Sequence, residues 1–179
     1  FNARMQAQEF AKQVAYMSEN PECVLVGTGL IVRDETGKEL YRFLNPETDA
    51  EIRKRILYRN CFSHSTVLFK KFAAQTFGGY DTSDTTRHVE DYDLWLELGT
   101  VGQFANLPEY SVAWTADTRT ISGKHKLHQF KNQLAITAAY KDKYPNYLIS
   151  RVKSYFRLAL YAIFGSLVPD SFIKLYKQG

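Results

Sequence analysis

The chain has 179 residues, 45% hydrophobic and 23% charged, with a formal net charge of +4 and a pI near 9.0. That length supports one domain with a substantial core, and the composition is that of a globular protein. Two distant cysteines, Cys23 and Cys61, define no disulfide framework and fit a reducing compartment. The basic balance attracts anions, whether nucleotide phosphate, anionic lipid or nucleic acid, and charge alone does not choose among them.

Ala3 to Glu19 reads as an amphipathic helix whose apolar positions are Met5, Phe10, Val14 and Met17. Its polar start has no apolar core of a signal peptide, and the chain opens on Phe1 directly in helical sequence, as a fragment would. Asn20-Pro21 stops the helix. Cys23 to Val32 then reads as a buried strand, in which Gly27 and Gly29 suggest a bulge or a close backbone approach. Asp34-Glu35-Thr36-Gly37 is a turn into a second strand, Lys38 to Leu44, completing a hairpin. Thr48 to Tyr58 reads as a short basic helix, with Thr48 and Glu51 at the capping-box spacing.

Asn60 to Phe69 is a polar loop running into an apolar strand, with His64 at the junction. Lys70 to Thr76 is a short helix, closed by Gly78-Gly79 in the left-handed region. Asp81 to Arg87 reads as a polar, mobile loop. After the next helix, Gln103 to Leu107 forms a short strand that Pro108-Glu109 separates from Tyr110 to Trp114. Lys126 to Tyr140 is helical again. Tyr147 to Lys177 mixes basic residues with a dense apolar and aromatic set, and its uncharged run is too short to span a bilayer. Such a helix fits a membrane interface or packs on protein.

The central stretch is Arg87 to Leu98, which places Glu90, Asp91 and Asp93 at the head of an apolar run. As a helix from Glu90, it puts Asp91 on one face with Leu94, Trp95 and Leu98, and turns Glu90, Asp93 and Glu97 the other way. Burial raises a carboxylate pKa while the positive helix end lowers it, so Asp91 can be shielded yet ionised, as a general base requires. Two other readings stand beside this. Asp91 can be a helix cap, or Asp91-Tyr92-Asp93 can grip a cation, which requires Asp91 to lie outside the helix.

The order of these segments resembles the second half of a bacterial family 2 glycosyltransferase with the GT-A fold. The resemblance runs from about residue 3 to 135. It rests on the ordered set Val24-Leu25-Val26-Gly27-Thr28, Asn60 to Phe69, Phe77-Gly78-Gly79-Tyr80-Asp81, Glu90 to Leu96, and Gln103 to Glu109. It implies an α/β fold, the C-terminal half of a GT-A domain, with a mixed sheet flanked by helices. Residues 1–140 would be the acceptor-side half and 141–179 a C-terminal helical extension.

The resemblance further implies an inverting transfer of a sugar from a nucleotide-sugar to a hydroxyl of a glycan or lipid-linked acceptor. Asp91, with Glu90 beside it, maps to the base. His64, Trp95 and Asp93 map near the acceptor. Arg119 and Lys124 would offset phosphate charge, and Asp117 stands near the place of a family metal ligand. A divalent metal, Mn²⁺ or Mg²⁺, is expected for the full-length enzyme, whose Asp-x-Asp motif has no match in this chain. The fragment alone is therefore expected to be inactive. Peripheral contact with the inner face of the cytoplasmic membrane through 150–179 is expected. No nucleic-acid partner is, since Glu90, Asp91 and Asp93 would repel phosphate. The rival reading is a non-catalytic module that binds membrane or protein.

Overall fold

The structure, a computed structural model, describes residues 3–115 and 126–164. In chain order the elements are α1 (Ala3–Glu19), β1 (Cys23–Arg33), β2 (Glu39–Phe43) and α2 (Asp49–Arg55). A 3₁₀ turn (His64–Thr66), β3 (Leu68–Phe69), α3 (Lys71–Thr76) and α4 (Glu90–Leu98) follow, then β4 (Gln103–Thr115), α5 (Lys126–Ala139) and α6 (Tyr147–Phe164). The result is an α/β fold with a mixed sheet flanked by helices.

β1 is the centre of the sheet. β4 runs parallel to it along its length. On the opposite edge, β3 pairs antiparallel near its start, at Leu25 and Val26, and β2 pairs antiparallel near its end, from Leu30 to Arg33. A strand enclosed on both edges and both faces should read as a continuous apolar run. Cys23 to Leu30 is buried throughout, as that run predicts.

Both expectations for the β1 glycines hold. The β1–β4 register shifts on either side of Gly29. A Cβ on Gly29 would lie 2.8 Å from the Phe43 carbonyl oxygen and 3.0 Å from that of Glu109. A Cβ on Gly27 would overlap the Asn106 side-chain oxygen. Asn106 is buried there, its amide donating to the carbonyls of Pro46 (2.7 Å) and Cys61 (3.2 Å). The glycines therefore admit the groups that tie β4 to the loops behind it.

Three local expectations are corrected. Pro108-Glu109 does not end a strand: Thr28 pairs with Leu107 and Gly29 with Tyr110, so these two residues leave the ladder as a bulge and β4 continues. A proline has no N–H to give, and a bulge asks for none. In α1, Phe10 and Val14 are exposed, whereas Gln13 is buried. The Gln13 amide donates to the Thr66 carbonyl at 2.9 Å and the Val26 carbonyl at 3.4 Å, so this inward face is held by hydrogen bonds as well as by Tyr16 and Met17. The loop from Asp81 to Arg87 is tied down. Thr86 is buried and donates to the Asp81 carbonyl at 2.8 Å, and Asn132 of α5 donates to the carbonyls of Asp84 and Arg87.

The main core lies around α4. Tyr92, Leu94, Trp95, Leu96 and Leu98 are all buried, packed with Val24, Leu25, Ile52, Ile56 and Phe104. The apolar stripe read from the sequence is thus too narrow, because β1, α3 and α5 cover this helix on several sides. Tyr92 donates its hydroxyl to the Ile56 carbonyl, and Tyr144 donates to that of Leu96, each at 2.6 Å. These bonds let two phenols sit in an apolar core without an unpaired hydroxyl.

The predicted capping box on α2 is present. The Glu51 N–H donates to Thr48 Oγ1 at 3.4 Å, and the Thr48 N–H donates back to Glu51 Oε2 at 3.5 Å. Gly78 and Gly79, at φ 86° and 85°, close α3 in the left-handed region.

Candidate active site at the start of the central helix

The N-terminus of α4 is built by a backbone excursion. His88 has φ 68°, which few residues other than glycine adopt. Its N–H donates to Glu90 Oε1 at 2.9 Å, and its ring meets His128 edge to face at 5.9 Å. Glu90 is thereby engaged in shaping the helix entry. Val89 is the capping residue and makes no side-chain cap bond. Asp91 lies inside the first turn, so the helix-cap reading does not hold for it.

Asp91 is partly buried. Burial pushes its carboxyl above the ordinary aspartate value. The Tyr92 N–H and the charge of His64 pull the other way, and Glu90 adds to the rise. Tyr80 feels Asp91 in return: burial, then the charge of Asp91, raises its phenol. His64 completes the group. Its Nε2 lies 3.3 Å from the Tyr80 hydroxyl, and its ring stands edge-on to Trp95, with centroids 6.0 Å apart at 84°.

Different elements deliver these four side chains. Asp91 and Trp95 come from successive turns of α4, His64 from the 3₁₀ turn, and Tyr80 from the chain just after Gly78-Gly79. Trp95 is fully buried, in ring contact with Phe62 and Phe69 as well as His64. Expected in the wall of an acceptor cleft, it lies in the core behind an exposed histidine. Tyr80 carried no role in the sequence reading. The paired glycines before it were the available signal, since two left-handed residues turn the chain sharply toward the 3₁₀ segment.

Asp93 is not joined to this group. It accepts a hydrogen bond from Tyr140 of α5 at 3.4 Å. Burial raises its carboxyl, the Tyr140 bond lowers it, and Asp81 raises it again. Glu97, one turn on, is pushed up to about 7 by burial and by the charges of Asp93 and Asp81. These acids raise the Tyr140 phenol as well, after burial. Two separate ionisable groups therefore flank α4, one at Asp91 and one at Asp93 and Glu97.

Arg119, Lys124 and Asp117 lie outside the described residues. Among the described residues, no three His, Cys, Asp or Glu side chains converge as a metal site requires. Asp91-Tyr92-Asp93 is helical, so its two carboxylates diverge. A cavity of about 370 Å³ is lined by Asn45, Glu47, Thr48, Glu51, Arg55 and Arg59, and shares no lining residue with the Asp91 group.

No family model matches the chain. It is 31% identical over 130 residues to the amylovoran biosynthesis glycosyltransferase AmsE of Erwinia amylovora, covering 72% of this chain. It is 29% identical over 172 residues to an uncharacterized glycosyltransferase of Haemophilus influenzae, covering 94% of this chain. Over 87 residues it is 36% identical to the O-antigen biosynthesis glycosyltransferase WbnJ of Escherichia coli, covering 49% of this chain and 32% of that protein.

The chain is related to bacterial glycosyltransferases. It spans 47% and 61% of the length of the first two relatives. Asp91 can accept a proton, and His64 and Tyr80 can donate hydrogen bonds beside it.

Proposed function

We propose that this chain is the acceptor-side half of an inverting, family 2-like glycosyltransferase of the GT-A fold, with Asp91 as its general base. The observation that carries the reading is the grouping of a shielded Asp91 with His64 and Tyr80 at the head of a core-locked helix. Asp91 accepts the proton of an acceptor hydroxyl while that oxygen attacks the anomeric carbon of the donor. The bond from this carbon to the nucleotide oxygen breaks, and its electron pair leaves with the nucleoside diphosphate. A single displacement inverts the carbon and forms no covalent enzyme intermediate.

His64 and Tyr80 orient the acceptor hydroxyl from the same side. Asp93 serves the acceptor region from the other face of α4, next to Tyr140. The divalent metal, Mn²⁺ or Mg²⁺, and the main contacts to the nucleotide-sugar belong to the whole protein. Arg119 and Lys124 are proposed to contribute on the phosphate side, and Asp117 to the metal. The names of two relatives, for amylovoran and O-antigen synthesis, support a surface polysaccharide or glycolipid as product, made at the cytoplasmic face of the membrane.

The test is sugar transfer by the full-length protein carrying Asp91→Asn or Glu90→Gln. Loss of a general base lowers kcat by about 10² to 10⁴ with little change in KM. Glu90→Gln should act less, because its carboxylate already serves the His88 N–H. Undiminished transfer by Asp91→Asn would remove Asp91 as base, and absence of transfer by the wild-type protein would favour a non-catalytic binding module.

A further inference from the structure

α6 packs on the body with its polar side and leaves its apolar side outward. Ser150 and Ser154 are buried. Arg157 donates to Gln133 Oε1 at 2.7 Å and to the Tyr58 carbonyl at 3.2 Å, and its guanidinium lies over the Phe130 ring. Arg151 donates to the Leu134 carbonyl at 2.8 Å. On the other side Leu148, Val152, Phe156 and Ile163 are 77%, 70%, 67% and 73% exposed, with Ile149 and Tyr155 beside them. At helical spacing these six side chains occupy one arc of about 120°. Arg151 and Lys153 stand at its two edges.

A helix at a globular surface ordinarily turns its apolar face inward. Here that face meets no partner among the described residues over four turns. Charge selects the occupant. Residues 147–179 hold five Lys or Arg, at 151, 153, 157, 174 and 177, against the single Asp170. Their excess of four equals the formal net charge of the whole chain, +4, so the remaining residues are balanced. An apolar arc edged by cations, on a segment carrying all the net positive charge, matches an anionic bilayer surface. No helix among the described residues is long and apolar enough to cross a membrane, which leaves the interfacial plane for this one.

We propose that α6 is a membrane-docking helix that lays Leu148, Val152, Phe156 and Ile163 into an anionic lipid surface. The proposal is independent of the role given to Asp91.

The test is co-sedimentation of the full chain with vesicles of phosphatidylcholine alone or of an equimolar mixture with phosphatidylglycerol. The double variant Val152→Asp, Phe156→Asp is run beside it, and unchanged circular dichroism and melting verify its fold. Wild type should bind the mixed vesicles, more weakly at high salt, and the variant should bind about tenfold less per residue changed. Failure of wild type to bind, or equal binding by the variant, overturns the proposal. A concentration-dependent dimer that the variant abolishes, without vesicle binding, also overturns it, since the occupant is then a second copy.

Discussion

The Tyr80 hydroxyl lies 3.3 Å from His64 Nε2, and both side chains answer to the same carboxylate, Asp91. The pair couples the segment after α3 to the 3₁₀ turn before β3. Because both side chains are exposed, their bond contributes little to folding and is free to serve a ligand. Tyr80→Phe should cost at most about 1 kcal/mol of stability, read from the denaturant midpoint. Its effect on KM for the acceptor should be the larger one, measured in the full-length protein. An unchanged KM would mean that the contact only joins two loops.

Asp91→Asn should separate activity from stability. The Asp91 carboxyl is raised chiefly because burial disfavours its charge, so an isosteric neutral amide relieves that penalty. Melting at neutral pH should be unchanged or higher while transfer is lost. A clear drop in melting temperature would give Asp91 a structural role instead.

The raised Asp91 carboxyl also sets the acid limb of the rate profile. A base must be deprotonated, so kcat/KM should rise with pH through a value above that of an ordinary aspartate. An acid limb at or below the ordinary value would contradict a shielded base.

Glu97 should make folding pH-dependent on its own. Folded, it binds a proton below about 7; its reference value is 4.5. Folding therefore takes up a proton between these values. The stability tied to protonated Glu97 is complete below about 4.5 and is lost as pH rises through about 7. Glu97→Gln should flatten this fall and raise melting at pH values above about 7. Parallel melting curves for variant and wild type across that window would refute the assignment.

Two core substitutions probe what holds the site. Trp95→Ala removes a fully buried indole that backs His64 and should cost about 3 to 5 kcal/mol. Gly27→Ala drives a methyl group into Asn106 and Phe62 and should cost about 1 to 3 kcal/mol. Both are measured by chemical denaturation. A near-neutral Gly27→Ala would show that the Asn106 tie yields easily.

Much of the element order was legible from the sequence, because helix and strand periods, caps and turn glycines act over a few residues. The Thr48–Glu51 box and the Gly78-Gly79 stop are of this kind. So is the apolar run of β1, whose composition already implies enclosure on both faces. The acid-headed helix was visible too, and with it Asp91.

Tertiary structure decided which side of each element meets a partner. Periodicity gave α1 an apolar face, yet Gln13 turns inward because two carbonyls need its amide, and Phe10 and Val14 stay out. Pro108 marked a break, yet the ladder resumes beyond a bulge because β1 offers a partner along its whole length. Tyr80 reached His64 only once the chain had folded around α4. The apolar side of α6 faces outward because its arginines find acceptors and an aromatic ring on the body, a matter of where the partners lie and not of helical period.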